Sequence, residues 1–127
     1  MASVRLLSLA FLFLVLPAFA SEADEGLEAG VTLACDTQHQ AERFVSLYDG
    51  DEDNAVSAVN AEAHDPTACA LVSVAYVAAP PLATARVKDA TFQIVPILVL
   101  GVVTDEGTHQ MPPTRLFSIV RIEETDV

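Results

Sequence analysis

The sequence predicts an α+β domain in which two N-terminal helices pack on a three-stranded antiparallel sheet, held by one disulfide. Three observations carry that expectation. Apolar residues recur with helical spacing after Thr37, alternating β-branched residues take over beyond Cys69, and the two cysteines bracket the helical half of the chain. Runs of helix followed by runs of strand are the pattern of α+β architecture.

The first helix is signalled by Thr37-x-x-Gln40, a capping box in which a hydroxyl and an amide side chain each satisfy a free backbone N–H. Ala41, Phe44, Val45 and Tyr48 follow at i, i+3, i+4, i+7 and form one face. Asp49-Gly50 ends it, glycine supplying the left-handed stop. A second helix is expected over 54–63. Asp51, Glu52 and Asp53 stand at its positive end, and Val56, Val59, Asn60 and Ala63 form its inner face. His64-Asp65-Pro66 closes it, because a residue before proline avoids helical geometry.

From Cys69, the alternation of Val72, Val74 and Tyr76 predicts a strand to Ala78, broken by Ala79-Pro80-Pro81. A second β stretch is expected over 86–104, with a turn at Asp105-Glu106-Gly107. Pro112-Pro113 reads as a further break before a last strand over 116–124. The uncharged run Ile94 to Val103 is too short to span a bilayer and is rich in β-branched residues. Pro96 within it cannot donate to a ladder and should mark an edge or a bulge. With helices on one sheet face, Val95, Ile97 and Val99 would be left exposed on the other as a partner or dimer surface.

Ahead of the domain, Arg5, the apolar run Leu6–Leu16 and Ala18-Phe19-Ala20 match a secretory signal peptide with its cut between Ala20 and Ser21. A helix of about 11 residues would extend roughly 16 Å, half a bilayer core. The reading is therefore an exported domain, periplasmic or secreted: residues 1–20 as signal, 21–30 as a flexible acidic lead-in, and 31–127 as one small domain. Removal of Arg5 leaves five basic residues against 18 acidic ones, a net charge of −13 on the mature chain. Such a surface repels nucleic-acid phosphates and anionic lipid head groups, so neither nucleic acid nor, after cleavage, a membrane is expected as a partner. Cys35 and Cys69, an even pair in an exported small domain, are expected to bond to each other.

Chemistry-bearing patterns are sparse. Asp49, Asp51 and Asp53 alternate as the first oxygen ligands of a calcium loop do, but Asn54 replaces the glycine and Asn60 the bidentate glutamate of that pattern. Capping of the second helix accounts for the same acids. His109 and Met111 lie close together in a form that suits copper, while His39 and His64 share no ligand spacing. The sequence contains no Gly-x-Ser-x-Gly or Ser-x-x-Lys and no selected pair of carboxylates, so the expectation is a non-enzyme without a cofactor.

The combination of Cys35-Asp36-Thr37 before a helix carrying Phe44-Val45, then Val59-Asn60, Ala68-Cys69, Ile94-Val95-Pro96 and the ending Ile122-Glu123-Glu124 resembles small exported bacterial proteins of unassigned function. The resemblance implies a bacterial periplasm and no transferable activity. The function expected is a periplasmic or secreted protein-binding domain, an inhibitor or accessory of a basic cell-envelope protein, or a self-dimer. A calcium- or copper-binding accessory protein is the alternative.

Overall fold

The structure, a computed structural model, describes residues 26–123; the expected signal segment and the Ala20/Ser21 cut lie outside them. The order of elements is β1 (Leu27–Cys35), α1 (Gln38–Leu47), α2 (Glu52–Ala63), β2 (Cys69–Ala78), β3 (Ala83–Val87), β4 (Ala90–Thr104) and β5 (Gly107–Ile122). The domain is α+β with two helices, as expected, but the antiparallel sheet has five strands among the described residues and not three.

Both helices begin where capping chemistry dictates. Thr37 Oγ1 accepts from the Gln40 N–H at 3.1 Å while Gln40 Oε1 accepts from the Thr37 N–H at 3.0 Å, completing the box. At α2 the cap is Asp51, whose Oδ1 accepts from the N–H groups of Asp53 at 2.9 Å and Asn54 at 3.3 Å. The helix thus starts two residues earlier than its apolar pattern indicated. Ala41, Phe44 and Val45 of α1, with Ala55 and Val59 of α2, are buried against the sheet. Arg43 clasps Glu62 across the helix pair, Nη2 donating at 2.6 Å and Nε at 3.0 Å. These bonds hold the Glu62 carboxyl below the usual carboxylate range.

Two strand boundaries were hidden from local pattern. Leu27–Gly30, expected to be lead-in, form the first half of β1, because β1 is paired along all nine residues with β2, from Leu27↔Val77 to Cys35↔Cys69. The stretch beginning at Arg86 is divided by a two-residue turn at Lys88–Asp89 into β3 and β4, with Lys88 at φ 57°. No glycine marks that turn. Nor do Pro112-Pro113 break the last strand: β5 runs from Gly107 through them to Ile122. They fall where the β4–β5 register jumps from Val99↔Thr114 to Gly101↔Gln110, so their missing N–H groups are not required by the ladder. Gly101 sits at the same irregularity, where a Cβ would lie 3.0 Å from the His109 carbonyl oxygen.

The sheet order β2-β1-β5-β4-β3 carries an additional β2–β4 pairing. β1, β2, β4 and β5 therefore close into a ring. This closure overturns the expected exposed face. Ile97 and Val99 are 2% and 1% exposed and Val95 is half-buried; with Val74 they form a second apolar cluster inside the ring, against Val72, Tyr76, Met111 and Leu116. The sheet covers much of its own far face by curling, and the closure is incomplete where β1 and β5 pair over three residues only. Pro96 occupies the seam between the end of β2 and the start of β3 on this edge of β4, its carbonyl accepting from the Ala79 N–H at 2.9 Å. Among the described residues no helix is long and apolar enough to cross a membrane.

The predicted disulfide is present between Cys35 and Cys69, two directly opposed residues of β1 and β2 that are both fully buried. Asn60 secures the same corner. Its Oδ1 accepts from the Cys69 N–H at 2.8 Å, and its Nδ2 donates to the carbonyls of Cys69 at 3.1 Å and Pro66 at 2.9 Å. Truncating it leaves backbone groups beside a buried residue without partners, so Asn60→Ala is expected to lower the unfolding free energy by about 2–3 kcal/mol. Urea unfolding followed by circular dichroism measures this; a change within experimental error would mean that water replaces the amide without loss.

Candidate functional site

The sequence-selected acids do not converge. Asp49, Asp51 and Asp53 are all exposed, and the side chains of Asp49 and Asp51 bond backbone N–H groups of their own turn, Asp49 Oδ1 accepting from Asp51 at 3.1 Å. His109 is tied to Thr104 Oγ1 at 3.0 Å, whereas Met111 packs into the apolar cluster inside the ring, so these two are not gathered either. His64 caps α2 in the left-handed conformation and His39 is exposed on α1. Among the described residues no three His, Cys, Asp or Glu side chains are grouped to hold a metal ion.

What the structure does build is a cleft of about 490 Å³ between β1 and β5. Its origin is a divergence of strands. β5 stays in register with β4 through Ile122, and β1 stays in register with β2 to Leu27, but β1 and β5 pair only over Leu33↔Ile119, Ala34↔Ser118 and Cys35↔Phe117. Beyond that point the two strands separate, exposing the ring's interior. Tyr76, Val95 and Ile97 line its floor. Thr32 Oγ1 and Ser118 Oγ are hydrogen-bonded at 2.5 Å on its inner wall, which satisfies the buried Ser118 hydroxyl.

The rim carries apolar surface and charge together. Val31 and Leu71 line the cleft at 69% and 71% exposure. Glu28 lies directly opposite Tyr76 in the β1–β2 register, and paired residues share a sheet face. Burial pushes the Tyr76 hydroxyl up, and the Glu28 charge adds to the shift. Glu52, from the start of α2, meets Arg121 of β5 at 3.7 Å. Glu28 has no cationic partner among the described residues.

A second groove, about 340 Å³ between α1 and β3, is lined by Val45, Ala85, Val87, Phe92 and Ile94, with Glu42 on its wall. It is more uniformly apolar and less open to charge recognition. Among the described residues, neither depression assembles a nucleophile with a base and an orienting group.

These features define a disulfide-pinned α+β domain with a curled five-stranded antiparallel sheet and one acidic, apolar-lipped cleft. No family model, no curated protein and no solved structure matches the chain. Of the cleft's residues, Val95 and Ile97 were expected from the sequence as part of a partner surface, and the others were not. Glu28 fell in the presumed lead-in, and Tyr76, Thr32 and Ser118 read as ordinary strand positions.

Proposed function

We propose that this protein is a non-enzymatic, exported binding domain that holds a basic segment of a cell-envelope protein in the cleft between β1 and β5. The single observation that supports it most is Glu28, an exposed carboxylate without a cation among the described residues, at the lip of a cleft flanked by exposed Val31 and Leu71. Apolar contact supplies adhesion there and the carboxylate supplies the preference for a positive partner. The whole chain acts in the same direction, since its net charge of −12 steers cationic surfaces toward it. A buried disulfide suits an oxidising compartment.

The test is capture of envelope proteins on the immobilised chain across a salt series. The expected outcome is retention of proteins with basic surfaces and their release as ionic strength rises, because screening shortens the reach of exposed charges to roughly 8 Å at physiological salt and about 3 Å at 1 M. Retention that is indifferent to salt, or restricted to acidic proteins, would refute the reading.

A further inference from the structure

We infer that the open edge of β1 receives an extended segment of the partner protein as an added strand, with a lysine or arginine side chain of that segment reaching Glu28. This rests on the protein-binding reading above and names the manner of binding. Six residues of β1, from Leu27 to Thr32, pair with β2 on one side and, among the described residues, with no strand on the other. Alternate N–H and C=O groups along such an edge point outward, where they template another strand. The available edge is roughly 20 Å long at a rise of about 3.3 Å per residue.

The edges of β1 and β3 are treated differently. β3, the terminal strand of the sheet order, is five residues long and carries Arg86, with Lys88 in the adjoining turn. Shortness and positive charge are common protections of an edge against unwanted pairing. Leu27–Thr32 has neither proline nor a basic residue, and its one charge is Glu28. That edge repels acidic strands and admits basic ones. An added strand beside β1 would point alternate side chains into the cleft, toward Tyr76, Val95 and Ile97. The remaining side chains would face outward, toward Val31 and Leu71 or solvent. Glu28, level with Tyr76, offers its carboxylate and that residue's hydroxyl to one cationic side chain. Glu52 is less available for this role because Arg121 already faces it. The recognised chemistry is thus backbone pairing together with one charge-assisted hydrogen bond, the usual division between affinity and specificity in strand addition.

A randomised short-peptide library selected on the full-length protein tests this. The expected result is enrichment of a lysine or arginine flanked by alternating apolar residues. Binding of the selected peptide should weaken about tenfold or more in Glu28→Gln. It should be abolished by N-methylation of alternate peptide amides, and those alternate amides of Leu27–Thr32 that point away from β2 should become slow to exchange with solvent in the complex. Glu28 is exposed, and an unchanged circular dichroism spectrum of Glu28→Gln confirms that the variant folds. A selected basic peptide that tolerates N-methylation and leaves those amides fast to exchange overturns strand addition while preserving the proposed function. Failure to enrich any basic peptide overturns both. Slow exchange of the same amides in the free protein, with a dimer in sedimentation, assigns the edge to a second copy of this chain and also overturns the inference.

Discussion

Replacing Cys35 and Cys69 together by alanine is expected to lower the unfolding free energy by about 3–4 kcal/mol, the value that chain entropy assigns to closing a loop of this length. The sequence separation is 34 residues, and the loop contains both α1 and α2. Cross-linking it removes from the unfolded ensemble the freedom of the entire helical half. For a domain of this size the total is on the order of 5–15 kcal/mol, so the loss is a large fraction of it. The bond lies at the last register pair of β1 and β2, next to the Asn60 clamp, and both sulfurs are shielded from solvent. Equilibrium urea unfolding of the variant checks the expectation. A loss under about 1 kcal/mol would show that β1–β2 pairing already closes the loop in the unfolded chain.

Phe92→Ala is expected to cost about 3–5 kcal/mol, through lost burial and the cavity left behind. Phe92 is 2% exposed and is the sheet's contribution to a three-ring cluster with α1. Phe44 meets it edge-on, with centroids 5.6 Å apart at 88°, and Tyr48 approaches to 4.9 Å at 76°. Edge-to-face rings gain electrostatically beyond the area they bury. The site collapses poorly, since β4 below it is paired on both sides, with β3 and β5, and cannot shift without breaking register. The check is the midpoint of urea unfolding at unchanged slope. A cost below about 1.5 kcal/mol would mean that α1 settles into the vacated volume.

Local signals were legible at the helix cap and the glycine turn, where the chemistry joins neighbours in sequence. Thr37 and Gln40 are three residues apart and cap one another without help from the rest of the chain. Asp105-Glu106-Gly107 turns the chain where expected, with Gly107 at φ 118°. The hidden elements depend on distant partners. Leu27–Gly30 carry weak strand propensity and become β1 because Val74 to Val77 lie alongside them. Lys88–Asp89 turns without a glycine because pairing on either side, Val87 with Ala90 onward, holds the left-handed residue in place.

Apart from Val95 and Ile97, the candidate site was invisible for the same reason. Glu28, Thr32, Tyr76 and Ser118 are spread across three strands, and only the parting of β1 from β5 gives them a common space. Val95, Ile97 and Val99 were rightly legible as strand residues, but which face they share with solvent depends on whether the sheet stays open or closes through β2 and β4. The sequence by itself determined the class of fold, the two capped helices, the pairing of two cysteines and the sign of the charge, all of which follow from composition and short-range chemistry. Tertiary structure alone decided the strand count, the closure that buries the second apolar face and the position of the cleft, because those depend on register between segments far apart in the chain, and register has no local signature.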